Sequence, residues 1–76
     1  LINVKISNDK KSDFYMNDKI KNSIIKFEDL LGTDGRVLVR PSGTEPLIRV
    51  MLEGKDFELI NKYAKEIADV IGNELN

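Results

Sequence analysis

Neither cysteine nor histidine occurs among the 76 residues. The first absence excludes disulfides and thiolate metal sites, and is compatible with a reducing cytoplasm. The second removes both the commonest general base and the commonest metal ligand. No apolar run approaches the roughly 18 residues that a membrane span needs, and no signal-peptide pattern is visible, so no membrane partner is expected. A net charge of −1 supplies no bulk attraction for nucleic acid. The strand-like segments also lack the exposed aromatics on which RNA bases stack. An anion site, if there is one, has to come from local arrangement. The length allows one domain and leaves no room for two lobes around a catalytic cleft. The start at Leu1, directly in a strand-like run, suggests an excised piece of a longer chain.

What is present is the ordinary balance of a folded domain, with 41% hydrophobic and 33% charged residues. Leu1 to Ile6 alternates, with Ile2, Val4 and Ile6 on one face, the period of a half-buried strand. Ser7 to Asp13 is polar and reads as a solvated loop. Phe14, Tyr15 and Met16 form an apolar patch expected to fold back on the domain. From Asn17 the period changes: Ile20, Ile24, Phe27 and Leu31 stack on one helical face, with Asn17 as N-cap and Gly32 as the closing residue. Thr33-Asp34-Gly35 continues as a turn.

Arg36 to Arg40 and Leu47 to Glu53 alternate again, as two further strands. Asp56 can cap a last helix that buries Ile60, Tyr63, Ala64, Ile67 and Ile71, with its final turn weakened by Gly72 and expected to fray. The order strand, helix, strand, strand, helix predicts an α+β domain of two layers, a small, largely antiparallel sheet with two helices on one face. The other face carries Arg36, Leu38, Arg40, Leu47, Arg49 and Met51, too apolar for pure solvent and too basic for core. A neighbouring domain could half cover it.

The most unusual stretch is Arg40-Pro41-Ser42-Gly43-Thr44-Glu45-Pro46, held between two strands. Each residue type has a use if the ligand is a phosphate. The two prolines stiffen the loop at both ends. Gly43 permits positive φ and close approach of the backbone. The N–H groups of Ser42, Gly43 and Thr44 can converge into an anion-binding concavity, and the hydroxyls of Ser42 and Thr44 add donors. Arg40 brings a planar fork for two phosphate oxygens. Equally, Ser-Gly-Thr between prolines is simply good turn chemistry, and the spacing is not that of a P-loop. Asp9, Asp13 and Asp18 make no metal-binding spacing.

The run from Gly35 through Gly54 resembles the last domain of the α-D-phosphohexomutases, and within that superfamily the bacterial phosphoglucosamine mutase branch. The flanking strand and helices fit the same domain in order and length. The resemblance implies a TATA-box-binding-protein-like fold for residues 1–76, as the single C-terminal phosphate-binding domain of a four-domain cytoplasmic enzyme. In such enzymes a phosphoserine and a Mg²⁺ in other domains interconvert hexose 6- and 1-phosphates through a bisphosphate, while the fourth domain grips the phosphate not being transferred. The resemblance therefore implies phosphate contact for Arg40, Ser42, Gly43 and Thr44, with Arg49 adding positive field. Glu45 becomes a bracing or interdomain residue and Arg36 an ordinary surface arginine. It implies a phosphosugar and three further domains of the same chain as partners, and a fragment that neither catalyses nor binds the metal itself. The alternatives are the corresponding domain of a phosphomannomutase or phosphoglucomutase, a free-standing α+β module that senses a phosphorylated metabolite, or an interaction domain that binds protein through the mixed sheet face.

Overall fold

A computed structural model describes the backbone of residues 1–76 and the side chains of all but Asn8. In chain order the regular elements are β1 (Ile2–Lys5), α1 (Lys11–Phe14), α2 (Asp18–Leu31), β2 (Arg36–Pro41), β3 (Leu47–Glu53) and α3 (Phe57–Leu75). Short 3₁₀ turns at Asn8–Lys10 and Gly32–Asp34 lead into α1 and away from α2. The three strands form one sheet in the order β1-β3-β2, antiparallel at both junctions. The expected α+β class, its three antiparallel strands and its two long helices are therefore all present.

Alternation along β3 decides what lies on each side of the sheet. Ile48 and Val50 face the helices and are fully buried, while Arg49 between them points the other way. Registered against them on the core face are Val4 and Ile2 of β1 and Pro41 and Val39 of β2. α3 lies over β3 and β1, and α2 over β2. Ile67, Ile71 and Leu75 of α3 and Ile20 and Phe27 of α2 join Ile48 and Val50 in a single cluster. The rings of Phe27 and Tyr63 meet between the helices, 4.6 Å apart at their centroids.

Both long helices begin where the sequence places them. Asn17 Oδ1 accepts the Ile20 N–H at 3.0 Å, and Asp56 Oδ1 accepts the Leu59 N–H at 3.1 Å. Gly32 closes α2 with φ of 58°, a backbone region that disfavours any residue carrying a Cβ. Gly35 has a different reason. Its backbone is extended, but an added Cβ would collide with the carbonyl oxygen of Glu53, where β2 begins to pair with β3.

Three local expectations are corrected. The Ser7–Asp13 segment is not a plain loop, because a 3₁₀ turn and one turn of helix carry the chain so that Phe14 enters the core. The burial of one large ring overrides the polar composition around it. Of the apolar patch only Phe14 folds back; Tyr15 and Met16 are exposed. Finally, α3 does not fray at Gly72. It runs on to bury Leu75, and its end is tied down by Asn17 Nδ2 donating to Glu74 Oε1 at 3.0 Å and Asn76 Nδ2 donating to the Lys5 carbonyl at 3.1 Å. Tertiary contacts here outweigh the weak intrinsic preference of one glycine.

Pro41 sits inside β2 at no cost to the ladder. Ser42 donates its N–H to Leu47 O, so the hydrogen-bonding groups of Pro41, one residue earlier, point to the outer edge, where no partner strand lies among the described residues.

Two stability predictions follow from this packing. Gly35→Ala should lower unfolding free energy by roughly 1–3 kcal/mol through overpacking, whereas Gly43→Ala, where an added Cβ meets nothing within 4 Å, should stay within about 0.5 kcal/mol of the parent or gain slightly. Leu75→Ala should cost roughly 2–4 kcal/mol despite lying one residue from the end of the described chain. Urea unfolding followed by circular dichroism checks both.

Candidate phosphate-binding site

The β2–β3 connection runs from Ser42 to Pro46 and is braced by its own first side chain. Ser42 Oγ accepts the N–H groups of Thr44 at 3.4 Å and Glu45 at 3.3 Å, and the residue is buried to 8% exposure. The Leu47 N–H returns to the Glu45 carbonyl at 2.8 Å, a γ-turn centred on Pro46, whose fixed φ suits that position. The Ile6 N–H bonds the Pro46 carbonyl at 2.9 Å, which fastens the far end of the loop to the extension of β1.

These bonds revise the expected use of the loop's N–H groups. Ser42 N–H closes the hairpin onto Leu47 O at 2.9 Å, and Thr44 N–H turns inward to Ser42 Oγ. Of the three expected to converge on an anion, only the Gly43 N–H is without a partner among the described residues. Nor does Gly43 take a positive φ; among the described residues that belongs to Gly32 alone. What Gly43 contributes is open space and an unshielded N–H. Ser42 Oγ accepts two N–H groups and still carries one hydroxyl hydrogen to donate. The Thr44 hydroxyl has no internal partner among the described residues.

Arg40 and Arg49 stand directly opposite each other in the β2–β3 register, on the sheet face away from the helices. Like charges placed so are unfavourable. Along the same face the pair Arg36 and Glu53 shows how the fold neutralises an arginine when it does: Nε to Oε2 at 3.0 Å and Nη2 to Oε1 at 3.2 Å, a fork-to-fork contact. Arg36 is thus the structural surface arginine that the resemblance implied. Neither Arg40 nor Arg49 has an acidic partner among the described residues. Both line a concavity of about 360 Å³ whose other walls are Pro41, Ser42, Gly43 and Thr44. All five sequence-nominated site residues therefore meet at one place, and the size lies within the range of small-molecule sites. A second hollow, of about 140 Å³, continues from the same two arginines over Leu38 and Met51.

One contributor was invisible in the sequence. Lys11, assigned there to a solvated loop, donates from Nζ to the Ser42 carbonyl at 2.8 Å across 31 residues of chain. Only the turn that seats Phe14 brings it there, and no periodicity signals that turn. Glu45 braces the loop through its main chain rather than its carboxylate.

The arrangement is one of hydrogen-bond donors. It gathers two guanidinium groups, one free amide and two hydroxyls, a donor set that reads an anion with several oxygens. A larger groove of about 570 Å³ lies between α2 and α3, but its lining mixes Lys19 and Lys26 with Glu66, Asp69 and Glu74 and has no sign preference. No helix of the described chain is long and apolar enough to cross a membrane.

Residues 1–70 match the family model described as phosphoglucomutase/phosphomannomutase, C-terminal domain. Curated relatives similar to the chain include the phosphoglucosamine mutase of Thermoanaerobacter sp. (strain X514), 49% identical over 76 residues, all of this chain and 17% of the relative. That of Caldanaerobacter subterraneus subsp. tengcongensis is 50% identical over the same span, again 17% of the relative. The phosphoglucosamine mutase of Ligilactobacillus salivarius is 53% identical over 75 residues, 99% of this chain and 16% of the relative. The chain thus spans about a sixth of the length of the relatives it matches. A match over nearly its whole length, on a fold with the expected strands and helices, makes this chain a member of the family of C-terminal domains of the phosphoglucomutases and phosphomannomutases.

Proposed function

We propose that the chain is the substrate-phosphate-binding domain of a phosphoglucosamine mutase, an enzyme that interconverts glucosamine 6-phosphate and glucosamine 1-phosphate through a phosphoserine and a bisphosphate intermediate. The observation that carries the proposal is the cross-strand pair Arg40 and Arg49. It lacks a protein counter-charge among the described residues and opens on the concavity beside Gly43. A dianionic phosphate is the counter-ion that such a pair accepts best. The names of the relatives supply the sugar.

The donor set reads a phosphate without reading what is attached to it. That property fits a reaction whose bisphosphate must turn over between two half-reactions, because the same grip then holds the 1-phosphate in one and the 6-phosphate in the other. Holding the spectator phosphate fixes the position of the reacting one, a contribution through orientation. Sugar discrimination and phosphoryl transfer belong, in this reading, to the remaining three domains of the longer chain, which close over the ligand.

The Mg²⁺ that the family resemblance implies does not fit the residues present here. No group of three or more carboxylates converges among the described residues, so no step is routed through a metal on this chain. In this proposal the ion sits elsewhere in the enzyme.

The complete polypeptide carrying this chain provides the test. With glucosamine 6-phosphate as substrate, Arg40→Ala should raise KM roughly 10- to 150-fold, as expected for loss of a charge-assisted contact of about 1.5–3 kcal/mol. Arg36→Ala, at the internally paired arginine, should stay within about twofold, the size of an exposed ion pair's effect. Turnover of mannose or glucose 6-phosphate in preference to glucosamine 6-phosphate would sink the glucosamine assignment. Equal KM values for the two arginine variants would sink the phosphate grip.

A further inference from the structure

We propose that Lys11 is a positioning residue for the phosphate site, acting through the Ser42–Gly43 peptide rather than on the ligand. The inference rests on the phosphate reading of the loop and assigns a role to a side chain outside it.

The Ser42 carbonyl and the Gly43 N–H belong to one peptide unit. Every peptide bond in the chain is trans, so the two groups point in opposite directions across a rigid plane. Whatever fixes the carbonyl also aims the N–H. Among the described residues the carbonyl has one partner, Lys11 Nζ at 2.8 Å, and takes no part in the strand ladder. Among the described residues, the N–H on the other side is the single loop amide without an internal partner. Gly43 offers no Cβ to resist rotation about its backbone bonds, and nothing lies within 4 Å of the place a Cβ would occupy. Without an anchor, this peptide can turn over by paired rotations on its two sides. The lysine removes that freedom and leaves the N–H committed to one direction before any ligand arrives.

The bond also strengthens the donor. A carbonyl that accepts from an ammonium polarises its peptide, and hydrogen bonds linked in this way reinforce one another. Neighbouring charges mark Lys11 as distinct. Lys10 is engaged by Asp13 at 3.8 Å, while Lys11 has no carboxylate partner among the described residues and spends its reach on a main-chain oxygen. Lys11 belongs to the short α1, which Phe14 anchors in the core. The lysine is thus held by an apolar contact on the side of the molecule opposite the arginine face.

The grip acts on a spectator phosphate, so loss of the anchor should raise KM; because the same grip orients the reacting phosphate, kcat should fall with it and not rise. The test uses the complete mutase in wild-type, Lys11→Arg, Lys11→Gln, Lys11→Met and Arg40→Ala forms. KM for glucosamine 6-phosphate is measured beside the Gly43 amide resonance of ¹⁵N-glycine-labelled enzyme titrated with inorganic phosphate. Lys11→Met should raise KM about tenfold and blunt the Gly43 shift at a melting temperature close to wild type. Lys11→Arg, which keeps donor and charge, should recover most of the loss, with Lys11→Gln between the two. A flat KM series at position 11 with an unaltered Gly43 response, while Arg40→Ala has raised KM, overturns the role of Lys11 and leaves the phosphate grip standing. Wild-type KM in Arg40→Ala as well overturns the grip and the positioning role together. If Lys11→Met fails to fold, the Arg and Gln variants still carry the comparison.

Discussion

Everything in this domain depends on β3 being the middle strand with one face sealed and the other open. Burial of Ile48 and Val50 against α3 fixes the strand to within one residue, because a slip by one would drive Arg49 into the apolar layer and expose both aliphatic side chains. Burying such side chains stabilises by about 1.5–3 kcal/mol each, and an unpaired buried guanidinium would cost more than either contributes. The hydrophobic core therefore sets the position of a charge it never touches. Register then carries the constraint across to β2, where Arg40 must face Arg49. The unfavourable pairing is not a local accident; the aliphatic packing behind it holds it in place.

The sequence made much of this legible, and the reasons differ from element to element. β3 was readable to the residue because its alternation is uninterrupted and Gly54 ends it. Both long helices were readable at their starts, since Asn17 and Asp56 are capping residues placed just ahead of a helical apolar stripe. The far end of α3 was not readable. Gly72 is a poor helix former, and only the three-dimensional neighbours of Leu75, Glu74 and Asn76 outweigh it. Likewise the segment after β1 offers no period, and its one informative residue, Phe14, is surrounded by charge. The site residues were found through loop composition and family resemblance, whereas their hydrogen bonding was not. Ser42 was expected to offer its N–H to a ligand, and its N–H is consumed by the hairpin instead. Composition cannot show which donors a turn keeps for itself.

The loop consequently divides its polar groups into two sets. Ser42 Oγ, the Glu45 carbonyl and the N–H groups of Ser42, Thr44 and Glu45 hold its shape, while among the described residues the Gly43 N–H and the Thr44 hydroxyl have no internal partner and Arg40 and Arg49 no acidic one. Under the proposed phosphate grip, a loop braced in this way is preorganised, which lowers the ordering cost of binding.

Pro41 has a further consequence at the β2 margin of the sheet. Its missing N–H faces the outer margin of β2, the row of main-chain groups on which a foreign strand would otherwise add itself. The residue that stiffens one end of the β2–β3 connection also makes that margin a poor template for self-association. A variant that relaxed the loop by replacing Pro41 would at the same time restore a donor to an exposed strand edge. The character of that strand edge and the stiffness of the β2–β3 connection are in this way properties of a single ring.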